Sequence, residues 1–223
     1  MHQSLSSHYF MRIIYFLPFF LVCWSCSKEN LSTPKTDSKL FTRIDPLSSG
    51  IDFVNEVIDG EKFNILTYRN FYNGGGVAIG DINNDSLPDI YFTANQKTNK
   101  LYLNKGNFVF EDITDKAGVG GSKPWSTGVS MADVNGDGFL DIYVCNSGDV
   151  DGANKENELF INNGDFTFSE RAKEFNLNNE GYSTHAAFFD YDLDGDLDCY
   201  ILNNSFKDPG KIELYKKNQR GSE

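Results

Sequence analysis

The sequence predicts an all-β fold, built from blades of four short antiparallel strands that each carry one acidic loop. Three observations carry this. A nine-residue aspartate-rich device occurs three times, as "DINNDSLPD", "DVNGDGFLD" and "DYDLDGDLD". Each copy lies between two short apolar runs: "GVAIGD" and "IYFTAN", "GVSMAD" and "IYVCNS", "HAAFFD" and "CYILNN". An alternating hairpin pattern then follows the first two copies. Self-similarity at about fifty residues marks a repeat architecture.

The chain has 223 residues and a formal net charge of -12. Nothing basic is concentrated enough to neutralise phosphates, so nucleic acid is excluded as a partner. Residues 1–25 read as a lipoprotein-type signal peptide. Arg12 supplies the positive charge, and residues 13–24 form an apolar run. Such a run is too short to span a bilayer as a helix but fits the apolar region of a signal peptide. Met11 stands directly before this pattern and is an alternative start to Met1. Ser25-Cys26 closes the run, and a small residue before cysteine at this point resembles a bacterial lipoprotein box. Cys26 is therefore the expected lipidation residue; Cys23 follows Val22, which is not small. The expected location is the bacterial cell envelope, lipid-anchored to the outer membrane and either periplasmic or surface-exposed. Residues 26–40 are polar without apolar period and read as a tether.

Residues 41–223 hold the repeats. The segment "LFTRIDPLSSGIDF" resembles "FVFEDITDKAGV" further on, so Phe41 and Ile44 read as an orphan fourth strand ahead of the first full unit. The units cover about 74–120, 121–178 and 179–223. Their loops start at Asp81, Asp133 and Asp190, 52 and then 57 residues apart. In "LYLNKGNFVFEDI", Leu101, Leu103, Phe108 and Phe110 alternate; in "LFINNGDFTFSER", Leu159, Ile161, Phe166 and Phe168 do. Gly106 and Gly164 permit the positive φ of the reversal between them. Four strands in about fifty residues is the size of a β-propeller blade. In the third unit "KIELYKK" is the expected third strand and no fourth follows, so the segment holds about two and a half blades of a partial propeller. Cys145 and Cys199 lie four residues after Asp141 and one after Asp198. Strand alternation puts these offsets on opposite faces, so they read as small buried residues and not as a disulfide.

The loops have the chemistry of a hard-cation cage. Calcium takes six to eight oxygens at about 2.3–2.6 Å, and side chains at positions 1, 3 and 5 converge when the backbone curls. Those positions are Asp81, Asn83 and Asp85; Asp133, Asn135 and Asp137; and Asp190, Asp192 and Asp194. Position 6 is Ser86, Gly138 and Gly195, where a sharp turn is needed. Position 7 offers its backbone carbonyl. Position 9 is Asp89, Asp141 and Asp198 and closes the shell. An EF-hand would need an acid at position 12 and flanking helices. Position 12 here is Phe92, Val144 and Ile201, inside strand-like runs. Asparagine and aspartate-glycine are also ordinary turn formers, but three loops with the same closing acid favour metal. Ca2+ is the expected cofactor.

A strand, D-x-[DN]-x-D-[GS]-x-x-D, a second strand and an "N.L..N.G...F" hairpin resemble the FG-GAP/VCBS repeat family. The spacing is most similar to that of bacterial repeat proteins related to cartilage acidic protein, here as a truncated lipoprotein. The resemblance covers about Phe41 to Tyr215. It implies a calcium-bearing extracytoplasmic propeller used in adhesion or in binding glycan or protein. The alternative is an accessory propeller of a polysaccharide-acting enzyme whose catalytic part is absent; a purely structural assembly protein is a third reading.

No catalysis is expected. His185 takes the place that Gly76 and Gly128 hold in the other units, but no nucleophile or general-base partner is visible. Tyr72, Trp125 and Tyr182 precede the first strands of their units. They read as packing between blades, with sugar stacking as the other possibility.

Overall fold

The computed structural model describes residues 39–149 and 151–204. Cys26, the signal segment, most of the tether and the strand expected at "KIELYKK" lie outside these residues. The compact unit begins at Arg43. Among the described residues no helix is long and apolar enough to cross a membrane.

Apolar runs that alternate over four to eight residues form strands because successive side chains then point to opposite faces. The first sheet has the order β1 (Val77–Gly80), β2 (Asp89–Phe92), β3 (Lys100–Asn104), β4 (Phe110–Asp112). The second repeats it with β5 (Ser126–Ala132), β6 (Asp141–Asn146), β7 (Glu158–Asn162) and β8 (Phe168–Glu170). Both are antiparallel throughout. The third sheet is the hairpin β9 (Tyr182–Phe189) and β10 (Asp198–Asn204). The sheets are thus blade-like, and the described residues do not close them into a ring.

Blade stacking makes the core. Tyr91, Leu101 and Leu103 of the first sheet share a cluster with Val129, Ile142 and Val144 of the second. Tyr143, Cys145 and Leu159 of the second face Ala186, Phe188 and Cys199 of the third. The two cysteines are free. They meet in this layer because opposite faces of successive sheets face each other. Burial pushes Cys145 up to about 12 and Cys199 up to about 11. Every residue of β6 and β7 is buried, since the second sheet is covered on both sides, whereas β10 is mostly open.

The inner strands approach too closely for side chains. A Cβ on Gly128 would lie 2.4 Å from the Thr184 carbonyl oxygen and 2.9 Å from His185 Cα. Such contact is beyond what a packed interior accommodates without moving the backbone.

Three expectations need correction. Residues 41–45 form no strand; instead Pro46–Ser49 make a helical turn, α1, capped by the Asp45 side chain and ended by Gly50 in the left-handed region. The likeness to the first blade still holds, because that blade ends in the same way with α2 (Thr114–Ala117) and left-handed Gly118. The correspondence therefore reflects a turn after the fourth strand, a capping signal that apolar periodicity does not carry. Phe108 and Phe166 are not strand residues: both sit in the hairpin turn at φ of 58° and 68°. Trp125 does not pack between blades. It is fully buried in an aromatic cluster with Phe63, Tyr68 and Phe71, supplied by the long segment ahead of β1. Tyr72 is exposed and its hydroxyl donates to Asp59. Tyr182 lies under the Lys155 ammonium, 4.5 Å from the ring centre.

Candidate metal centre

Each acidic loop connects the first two strands of its sheet, and its ninth residue is the first of the following strand. The loops therefore lie together along one end of the stacked sheets. The curl comes from two left-handed residues per loop. Position 4 has φ of 60° in Asn84, 71° in Gly136 and 63° in Leu193; position 6 has 69° in Ser86, 91° in Gly138 and 95° in Gly195. Position 6 was legible as a turn. Position 4 was not, because Leu193 hides the pattern that Asn84 and Gly136 would show.

The curl draws backbone N–H groups onto the first carboxylate. Asp81 Oδ2 accepts from Ser86 N at 2.6 Å, Asp133 Oδ2 from Gly138 N at 2.8 Å, and Asp190 Oδ2 from Gly195 N at 3.1 Å. Asp85, Asp137 and Asp194 each accept from the N–H two residues on.

Position 3 then separates the loops. Asn83 donates its amide to Asp85 Oδ2 at 3.0 Å, and Asn135 donates to Asp137 Oδ2 at 2.8 Å. In the third loop Asp192 has no donor to give. Carboxylate oxygens of Asp190, Asp192 and Asp194 lie within 4.8 Å of one another, and among the described residues no other group of three acids or histidines converges in this way. Two ligands of one calcium at about 2.3–2.6 Å are separated by at most roughly 5 Å. The spacing thus fits a single hard cation. Asp190 Oδ1 is also buried and accepts no hydrogen bond. A buried anionic oxygen without a partner is strongly disfavoured unless a cation serves it. Asp196, at position 7, is held above the usual carboxylate range by its hydrogen bond with Asp194 and by neighbouring charge.

The ninth residue is the root of each loop. Asp89 and Asp141 are buried. Asp89 accepts from Ile82 N at 2.9 Å and Asn104 N at 2.8 Å; Asp141 accepts from Val134 N and Asn162 N, both at 2.8 Å. Asp198 accepts from Tyr191 N at 2.8 Å. Burial raises the Asp89 and Asp141 carboxyls, against the pull of these N–H groups. Asn104 and Asn162 brace the loops further. Each accepts from the glycine two residues on and donates to the carbonyl just before the closing aspartate, Pro88 or Leu140. These asparagines stand in the hairpin motif, so the signal was in the sequence, but their reach to the acidic loop was not.

The chain matches the FG-GAP-like repeat model over residues 81–144 and 146–201, more than half its length. The chain belongs to the FG-GAP-like repeat family. It is 31% identical over 156 residues to cartilage acidic protein 1 of Xenopus tropicalis, covering 68% of this chain and 23% of that protein. The mouse and human proteins of the same name are each 28% identical, over 64% and 65% of this chain and 22% of theirs. The chain therefore spans less than a quarter of these relatives. His185 is exposed beside Gly128.

Proposed function

We propose that this FG-GAP-like chain is an extracytoplasmic calcium-binding lipoprotein, and that metal stiffens its blades to present a binding or adhesion surface for glycan or protein. The observation that carries the calcium reading is the convergence of Asp190, Asp192 and Asp194 around the unpartnered Asp190 Oδ1. The oxygen-only donor set favours a hard cation. Magnesium is the poorer fit, since it keeps several waters and seldom takes an all-protein cage. The first and second loops supply the same positions, where Asn83 and Asn135 would offer amide oxygens. Asp190, Asp192 and Asp194 would hold the ion with protein oxygens, which supports a scaffold role over turnover.

Anchoring rests on the sequence around Cys26, with a cationic start, a short apolar run and a small residue before the cysteine. A lipid on Cys26 would hold the blades at the outer membrane of a bacterial envelope, with residues 27–40 as a spacer.

Calorimetric titration of the full chain with calcium tests the metal reading. Wild type takes up calcium, and Asp194→Ala loses one site. Equal stoichiometry and affinity in the two proteins would overturn it. Metabolic labelling with a fatty-acid probe tests the anchor: label must disappear in Cys26→Ser.

A further inference from the structure

The first and second loops are tied to each other by side-chain hydrogen bonds, whereas among the described residues no hydrogen bond ties either to the third. Asn84 Nδ2, at position 4 of the first loop, donates to the Gly138 carbonyl at position 6 of the second, at 3.0 Å. Asn162 Nδ2 donates to the Ile82 carbonyl of the first loop at 2.8 Å, while its own N–H holds Asp141 of the second. One residue therefore grips the root of loop two and the backbone of loop one at once. The loops also touch through their apolar bases. A Cβ on Gly80, just before Asp81, would lie 2.6 Å from Leu140 Cδ1 and 2.9 Å from Met131 Sδ.

The second loop touches the third sheet through Val134, which packs in one cluster with Phe188 and Cys199, but the described residues hold no such hydrogen-bonded link between the second and third loops. Position 4 of loop two is Gly136, which has no side chain to reach across. Among the described residues, no hydrogen bond joins residues 133–141 to residues 190–198.

We propose that loops one and two bind calcium as a cooperative pair coupled through Asn84 and Asn162, while loop three binds on its own. This rests on the calcium reading above. The mechanism is a shared ordering step. Gly138 directly precedes Phe139, whose carbonyl is the position-7 oxygen of loop two. Metal in loop one fixes position 4, and Asn84 then holds the Gly138 peptide where loop two needs it. Whichever loop fills first prepays the ordering of the other, which is positive coupling between sites. By reciprocity, calcium in loop two strengthens loop one by the same factor.

The test is calorimetric calcium titration of the full chain in three variants beside wild type. In wild type, filling one of the paired sites tightens the other by about five-fold or more. Asn84→Gly reproduces what loop two carries at position 4 and suits the left-handed backbone, so it folds; it keeps all three sites but lowers the cooperativity to what Asn162 alone transmits. Asp85→Ala disables loop one and weakens loop two by the coupling factor. Asp194→Ala disables loop three and leaves the pair unchanged. Independent sites in wild type, or cooperativity undiminished in Asn84→Gly, would overturn the coupling alone. No calcium uptake by any protein would overturn the calcium reading with it.

Discussion

Asp141→Ala isolates what the closing aspartate does before any metal arrives. Asp141 is 1% exposed and accepts from Val134 N and Asn162 N. Alanine leaves both donors without an acceptor, at about 1–3 kcal/mol for each buried group. Removing the carboxylate also relieves the desolvation that raises its pKa. The net loss should therefore be about 2–4 kcal/mol. Asp141→Asn keeps one acceptor but turns an amide donor toward the other N–H, for about 1–3 kcal/mol. Asp137→Ala serves as the control. Asp137 is exposed at position 5, and without metal its loss should stay under about 1 kcal/mol. The assay is urea unfolding in excess chelator. With a slope of about 1–3 kcal/mol/M, Asp141→Ala should lower the midpoint by roughly 1–2 M at unchanged slope. An unchanged midpoint for Asp141→Ala in chelator, with calcium affinity still lost, would refute the reasoning. Asp141 would then be a ligand only, and the loop root would be held by something else.

Gly128→Ala should destabilise by about 1–3 kcal/mol, read as a lower thermal midpoint, because its Cβ would meet the Thr184 carbonyl at 2.4 Å. Leu193→Asn should raise metal-free stability by up to about 1 kcal/mol, since asparagine tolerates the left-handed φ of 63° better than leucine; a loss in urea unfolding would count against that strain. Asp112→Asn should cost about 1 kcal/mol at pH 7. Partial burial pulls the Asp112 carboxyl upward, but Lys100 and Thr114 outweigh it and hold its pKa below the ordinary value. The stabilisation is thus complete above the ordinary carboxylate pKa and lost as pH falls through the lowered one. The gap between Asp112→Asn and wild type in urea should accordingly close toward acid pH. Cys145 and Cys199 should resist iodoacetamide at pH 8 until denaturant is added, as burial lifts both thiols well above that pH; peptide mapping of the alkylated sites would show early labelling if this is wrong.

What the residues alone determined is the local grammar. The strands flanking each acidic loop were legible because "IYFTAN", "IYVCNS" and "CYILNN" open with short apolar runs bounded by turn formers. The hairpin reversals at Gly106 and Gly164 were legible too, both glycines being left-handed in the fold. The family was legible from the spacing of the three acidic loops and of the hairpin that follows them. Phe108 and Phe166 misled, since alternation extends through a tight turn as readily as along a strand. Trp125 misled because its partners Phe63, Tyr68 and Phe71 lie over fifty residues earlier, in a segment with no periodicity to announce them.

Only the tertiary structure decided how equivalent residues differ. Tyr91, Tyr143 and Tyr200 occupy the same place in three near-identical strands. The first two are buried, while Tyr200 is 63% exposed, because among the described residues a further sheet packs over the first two and none over Tyr200. Asn84 is a turn residue in the sequence and a bridge between loops in the fold. Local propensity depends on neighbours along the chain, which the sequence contains. Burial and cross-loop hydrogen bonds depend on which surface arrives opposite, and that is set only when the blades stack.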